Sequence, residues 1–557
     1  MRTQVARVMV LAAGLIGSLV FSGAALAQEP NQATGVAVTQ GEGFATVSWE
    51  PVPGATDYEI ERTPVAADDT PAGPAAVVGV WRPNRTVSPE SPTFADAGFQ
   101  PGARFQWRVR ARFGTTPQPY SAPVSGTTQP QWGDPGVPGE SLRTQWETTQ
   151  GAQFTTDVNE YAYTAALDAA SDRVRVVEIG RTVLGRPINM FIIGDKKAPP
   201  TAGAVAGGTS ALVNCNVHGN EPSSREACLI LARELAFSDE QRVLDALREA
   251  TVLIVPTING DGRAANTRGN STGQDLNRDH SLIRQPETFA LAAMLADYDV
   301  ESAFDGHEFG NSRAGDLPVL MPRHLNVARS IFDQSRDLIE NELYGSGSAD
   351  GWWYCPYGCE GGGAVGLSQE TILRNTLGLK NVVGALLEAR SSGGPTRPFE
   401  AIPANNRRRK TYSALYTYEQ FLDYQRENEG EIARAIEDAE RFQRRNEGRI
   451  VFRGSYRLPA FPAPHPGESP PPDEDPGPEQ ILDPPPCGYQ LTQEQYLGPQ
   501  PVGRPVAERL DAHGIRVLRQ RPGRYFVPMK QEQRGLIPLL LDGQAAEPMV
   551  AGQRIAC

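Results

Sequence analysis

The chain has little of what usually performs redox or nucleophilic chemistry, with six cysteines and six histidines among 557 residues. None of the cysteines, at 215, 228, 355, 359, 487 and 557, has the spacing of a zinc knuckle, so a cysteine-built structural metal site is excluded. A basic excess is also missing. Lys and Arg number 53 against 66 Asp and Glu, a formal charge of −13, without a basic stripe or an aromatic-basic interleave, and nucleic acid is therefore not an expected partner. Long apolar runs are scarce as well. No segment offers the ~18 uninterrupted apolar residues of a spanning helix, so no transmembrane anchor is expected.

The one apolar stretch near the start, Val8 to Val20, follows Arg2 and Arg7 and leads to the small residues Ala25 to Ala27. This reads as a secretory signal peptide, residues 1–27, cut before Gln28. The expected location is outside the cytoplasm, periplasmic or extracellular. No cysteine near the cut offers a site for lipid attachment. Export permits disulfides. Cys355 with Cys359 in "CPYGC", and Cys487 with Cys557 around the last segment, are either bridged pairs or free thiols. Cys215 on a strand and Cys228 on a helix read as plain buried residues.

The chain length predicts roughly two to four domains. Residues 31–128 carry short alternating runs between turn signals, "FATVSWE", "DYEIERT" and "RFQWRVRARF", with no helical stretch between them, which predicts an all-β sandwich. The order "VSWEPVPGATDYEIER", "FADAGFQPGARFQWRVRARF", "YSAPVSGTT" resembles a fibronectin type III domain. That resemblance makes Trp49 and Tyr58 core residues and implies a spacer or adhesive module.

A Pro/Gly linker at 129–140 follows, and from 141 to 457 strands alternate with helical patterns. Continuous apolar runs such as "VLIV" suit strands covered on both faces. The expected architecture is multidomain: the N-terminal sandwich, a central α/β/α sandwich with a mixed, mostly parallel sheet, and a small C-terminal α+β unit at 487–557. Residues 458–486 are so rich in proline that they read as an extended, semi-rigid tether.

Chemistry concentrates in the central segment. "HGNE" places His218 and Glu221 three apart between an apolar strand and a helix, where both can converge on one ion. The loop "PTINGDGRAANTRGNSTGQDLNRDH" follows a buried strand and holds Arg268, Asn277 and Arg278, donors suited to gripping a carboxylate. "VESAFDGHEFG" supplies His307, with Asp305 on the same strand face, where it could fix the histidine tautomer. "GALLEARSSGG" ends an apolar strand with Glu388, a candidate base if it is not simply paired with Arg390. The ordinary alternatives are a surface histidine beside a helix-entry glutamate, and a solvated basic loop.

Together "GRP" at 185–187, "HGNE", "PTINGDG", "RGNSTGQDLNR", "DGH" at 305–307 and "LLEAR" at 386–390 resemble the zinc carboxypeptidase family, the carboxypeptidase A-like metallopeptidases. The resemblance spans about 140–400. It implies one zinc per chain held by His218, Glu221 and His307, and a zinc-bound water activated by Glu388. It further implies that Asn277 and Arg278 bind the terminal carboxylate of a peptide or protein, and that Arg268 polarises the scissile carbonyl. Two positions depart from the family pattern: Asn220 stands where some relatives have Arg, and none of Tyr344, Tyr354 or Tyr357 can be aligned with the family's pocket tyrosine. A zinc amidase acting on cell-wall peptides or acylated amino acids shares the metal chemistry, and a non-catalytic binding protein is a third reading.

Overall fold

The computed structural model describes residues 31–557 apart from 42, 82–91, 130–131, 134–135, 138, 311–314, 358–366, 393–397 and 459–472. The expected signal peptide, Cys359, and residues 459–472 of the proline tether therefore lie outside the described residues. Among the described residues no helix is long and apolar enough to cross a membrane.

The N-terminal region is built from β-strands in two sheets, one of three strands and one of five. Alternation does the work here: along Arg104–Phe113, the residues Phe105, Trp107, Val109 and Ala111 are buried while their neighbours are half-buried. Trp49 and Tyr58 stack in this core with ring centroids 5.2 Å apart. The module is packed on the central unit. Phe44 lies 5.1 Å from the Trp352 ring and 5.6 Å from Tyr416, and the Ala95 amide donates to the Gly351 carbonyl at 2.9 Å.

The central unit carries one eight-stranded sheet. Its strands in chain order are β1 (Val174–Arg181), β2 (Pro187–Ile193), β3 (Ser210–Cys215), β4 (Thr251–Val255), β5 (Ser302–Phe309), β6 (Leu317–Leu320), β7 (Tyr354–Pro356) and β8 (Val383–Arg390). Their spatial order is β7-β6-β8-β5-β3-β4-β2-β1. The middle run β8-β5-β3-β4 is parallel throughout, and the pairs β1/β2, β2/β4 and β6/β8 are antiparallel. Helices cover both faces, so β3 and β8 are buried at every position. Each fully buried Val, Leu or Ile there contributes roughly 1.5–3 kcal/mol. A mixed, mostly parallel sheet matches the sequence expectation.

Among the described residues, two of the covering helices pack against each other. α1 (Ser223–Phe237) begins directly after the "HGNE" turn, and α2 (Pro403–Arg445) crosses it. The sequence predicts one packed face for α1, through Ala227, Leu231 and Leu235. In the structure the polar face is buried too, because Arg225 meets Glu160 at 3.1 Å and Arg233 meets Glu147 at 2.7 Å.

The cysteine reading of this region needs correction. Cys215, at the end of β3, and Cys228, on α1, are not free buried residues; they form a disulfide, with Cα atoms 6.9 Å apart. A bridge between Cys487 and Cys557 closes the C-terminal unit. Cys355 is also disulfide-bonded.

The described part of the proline-rich segment is not a free tether. Ile481–Leu482 pairs with Ile450–Val451, and Arg323 binds Asp473 at 2.6 Å. The C-terminal unit then forms a four-stranded antiparallel sheet with short helices, and its core, including Leu491, Leu510 and Leu540, is continuous with that of the central unit. The α+β expectation holds for this segment.

The Cys215–Cys228 bridge closes a loop of separation 13 around the "HGNE" turn. Replacing both cysteines by serine is expected to lower the unfolding free energy by roughly 3 kcal/mol, measured by denaturant titration.

Candidate metal and substrate site

The parallel strands bring the site together at their carboxyl ends. β3 stops at Cys215, and the chain turns through Asn216, whose φ of 58° lies in the left-handed region that asparagine tolerates. That turn aims His218 and Glu221 over the sheet edge. Gly219 between them has no room for a side chain, since a Cβ would stand 2.0 Å from the Gly262 carbonyl carbon. On the neighbouring strand, β5 presents His307, and the β5/β8 register pairs it with Glu388.

His218, Glu221 and His307 are all buried, and their donor atoms lie within 4.8 Å of one another. His218 Nδ1 is 2.9 Å from Glu221 Oε1, His307 Nδ1 is 3.0 Å from Glu221 Oε2, and the two Nδ1 atoms are 3.0 Å apart. The far nitrogens each face a carboxylate: His218 Nε2 is 3.1 Å from Asp275 Oδ1, and His307 Nε2 is 2.9 Å from Asp305 Oδ2. An Nε2–H donated to each aspartate leaves both Nδ1 lone pairs pointing at one point beside a carboxylate. Two such nitrogens so close need a proton or a cation between them. This donor set, two imidazoles and one carboxylate, is that of a catalytic zinc site with an open fourth position.

Electrostatics agree with that reading. Burial opposes ionisation of Glu221, yet His218 and His307 hold its carboxyl well below the usual carboxylate range. Burial likewise opposes Asp275, and His218, helped by Arg268 and Arg278, holds it low. Burial lowers His307, but Asp305 and Glu221 overcome it and raise the imidazole well above its ordinary value. The cluster therefore favours positive charge at this point, a proton on His307 or a cation.

A cavity of about 400 Å³ opens over these residues, lined among others by Arg268, Asn277, Arg278, Tyr357, Arg374 and Glu388. Arg268 is half exposed and binds Asp275 at 3.0 Å, with Glu221 at 3.4 Å. Arg278 donates to the Asn277 carbonyl at 2.7 Å. The Asn277 side chain is anchored from behind, its Oδ1 accepting from the Leu373 amide at 2.9 Å. Of the seven residues expected from the sequence, His218, Glu221, Arg268, Asn277, Arg278 and Glu388 line this cavity, and His307 stands behind it in contact with His218 and Glu221.

Glu388 is not the partner of Arg390, which pairs instead with Asp316 at 3.0 Å and Glu400 at 2.9 Å. Burial pushes the Glu388 carboxyl up to about 8, with His307 opposing and Glu221 adding to the rise. Of the three tyrosines that could not be aligned, Tyr357 lines the cavity, whereas Tyr344 and Tyr354 are core residues.

Three contributors escape the sequence reading. Asp275 lies 57 positions from the histidine it faces, and only its place as the cap of a short turn, accepting from the Asn277 amide at 2.9 Å, hints at a role. Arg374 is buried at the cavity, which pulls its guanidinium down to about 9. Glu308 binds Lys410 of α2 and the Ser223 amide, fastening β5 to the start of α1. Ile283, just beyond Arg278, has φ of 42°. A β-branched residue there stores about 1–3 kcal/mol of strain and needs its surroundings to hold it.

Asp275→Asn and Asp305→Asn remove the charges that orient the two imidazoles. Each is expected to weaken zinc binding roughly 10–100-fold while preserving the fold, as measured by competition with a chromophoric chelator.

The zinc carboxypeptidase family model matches residues 160–310. Carboxypeptidase 2 of Trichophyton tonsurans is 28% identical over 238 residues, covering 40% of this chain and 43% of that protein. Carboxypeptidase D of Mus musculus is 32% identical over 159 residues, 23% of this chain and 12% of that protein. This chain thus spans less than half the length of either curated relative. A crystal structure of a metallo-carboxypeptidase from Burkholderia cenocepacia aligns over 48% of this chain and 70% of that one, at 21% identity and a TM-score of 0.37. The segment holding His218, Glu221, Arg268, Asn277, Arg278 and His307 is accordingly similar in sequence to the zinc carboxypeptidases, and it matches their family model.

Proposed function

We propose that this chain is an exported zinc metallocarboxypeptidase that hydrolyses the C-terminal peptide bond of peptides or proteins. The observation that carries the proposal is the convergence of two histidine Nδ1 atoms and Glu221 on one point, beside a cavity walled by Arg268 and Arg278. The family match over 160–310 supports it.

Zinc bound by His218, Glu221 and His307 supplies a Lewis acid that polarises the scissile carbonyl and acidifies water. The remaining work falls to the chain's own side chains. Arg278, with the Asn277 amide behind it, offers N–H donors to the substrate's terminal carboxylate. An internal peptide bond brings no carboxylate to this position, which makes the reaction exopeptidic. Arg268 stands on the cavity wall, where its guanidinium stabilises negative charge developing on the carbonyl oxygen. Glu388 accepts a proton from the attacking water and returns it to the leaving amine nitrogen. Its burial suits both halves, since a carboxyl with a raised pKa is a better base and a competent acid near neutral pH.

Export and the fibronectin-like role of residues 31–128 belong to the same proposal. The disulfides Cys215–Cys228 and Cys487–Cys557 support an oxidising compartment, and the two N-terminal sheets around Trp49 and Tyr58 support the module assignment.

The deciding assay gives the zinc-loaded chain matched peptides with free and amidated C-termini and identifies the released amino acids by mass spectrometry. Trimming of free termini alone is expected, and equal treatment of both would count against the reading. Glu388→Gln should retain zinc and lose roughly 10²–10⁴-fold in kcat. The ionised carboxylate is the active form, so kcat/KM should fall as pH drops through the Glu388 pKa. Burial displaces that limb above the ordinary glutamate value of about 4.3. An activity flat between pH 4 and pH 8 would rule Glu388 out as the base. Arg278→Met is expected to cut kcat/KM roughly 10–100-fold, matching the loss of a charged hydrogen bond.

A further inference from the structure

The chain leaves the site through residues 279–285, and this stretch is held from two sides. From within, the buried Asp279 carboxylate accepts from Arg284 Nε at 2.9 Å, the Gln285 amide at 2.8 Å and Thr288 Oγ1 at 2.6 Å. From without, the C-terminal unit donates to two consecutive main-chain carbonyls. His513 Nε2 reaches the Ser281 carbonyl at 2.8 Å, and Arg509 Nε reaches that of Leu282 at 2.7 Å. Both donors are buried.

These bonds flank Ile283, the residue at positive φ. The same unit approaches the next residue closely. Gly503, itself at φ 84°, would place a Cβ 2.8 Å from the Arg284 Cα, so only glycine fits. Arg504 lies 4.4 Å from the centre of the Phe289 ring. Burial, with Lys380 nearby, pulls His513 well below its ordinary value, which keeps it neutral. A neutral ring facing a carbonyl carries its proton on Nε2. The unit also touches the turn that feeds β8: Lys380 Nζ donates to the His513 carbonyl at 2.9 Å, and Asn381 Nδ2 to that of Glu532 at 3.1 Å.

We propose that the C-terminal unit is a brace for substrate binding, in which His513 and Arg509 position the loop that carries Asn277 and Arg278. The grip falls on the main chain three and four residues beyond Arg278 and locks a conformation that the Ile283 backbone would otherwise relax. Loss of the grip lets Arg278 move relative to His307, whose own supports, Asp305 and the β5/β8 pairing, do not involve this unit. The kinetic part of this inference rests on the carboxypeptidase reading.

The test uses the full-length, zinc-loaded chain with Arg509→Met and His513→Leu, singly and together, and Arg509→Lys as the conservative variant. Arg554→Met serves as control, since its ion pair with Asp542, at 2.6 Å, lies elsewhere in the same unit. KM for a peptide with a free C-terminus is expected to rise about tenfold with kcat within about twofold and zinc content unchanged, as for one lost charged hydrogen bond. Amide hydrogen exchange at 279–285 should quicken in parallel. Arg509→Lys should recover most of both, and Arg554→Met should alter neither.

Unchanged KM and exchange in the Arg509 and His513 variants, or equal changes in Arg554→Met, would overturn the brace. If the wild type releases no C-terminal residue, the carboxypeptidase reading fails, while the exchange measurement still decides the brace. If the double variant does not fold, the comparison of Arg509→Met with Arg509→Lys decides it.

Discussion

Two imidazole nitrogens held 3.0 Å apart beside one carboxylate form the constraint on which this site depends, since a proton or a cation must lie between them. His307 lies on β5 and His218 on the turn after β3, and the sheet brings the two together. β3 and β5 run parallel side by side, and the turn after β3 swings His218 back toward His307. The Cys215–Cys228 bridge fastens the strand before that turn to the helix after it. Glu308, next to His307, is tied to Lys410 and to the first amide of the same helix. The convergence of these donors is thus maintained from several directions.

The same economy governs the buried charges. Charged groups in a dry interior are costly unless paired. Around the metal point each charge has an assigned counterpart: Asp275 and Asp305 answer the histidines, and Lys410 answers Glu308. Arg390, which could have neutralised Glu388, is occupied by Asp316 and Glu400. Glu388 is consequently left without that partner, and burial, with Glu221 and Asp305 adding to it against His307 and Arg268, raises its pKa. The appended C-terminal unit extends the arrangement, holding main-chain carbonyls beyond Arg278 with two buried donors.

What could be read from the sequence was mostly local. The "HGNE" turn sits within one strand–turn–helix unit, so His218 and Glu221 were visible from their spacing. His307 required only strand alternation to find it and Asp305. Glu388 stood out as an acid in an apolar strand, but the choice between base and partner of Arg390 needed the positions of Asp316 and Glu400, which no local pattern reveals. Asp275 was missed because its contact with His218 crosses the chain. The Cys215–Cys228 bridge was missed for a related reason: each cysteine fitted its own strand or helix, and only the packing of α1 on β3 brings them together. The proline-rich segment misled in the other direction, since composition predicts stiffness but not the pairing of Ile481–Leu482 with Ile450–Val451.

Zinc K-edge X-ray absorption on the purified, zinc-loaded chain tests the central claim most directly. The account predicts a shell of nitrogen and oxygen at about 2.0–2.2 Å with multiple scattering from two imidazoles, falling to one imidazole in His307→Ala. A shell containing sulfur near 2.3 Å, or one unaffected by loss of His307, would contradict it.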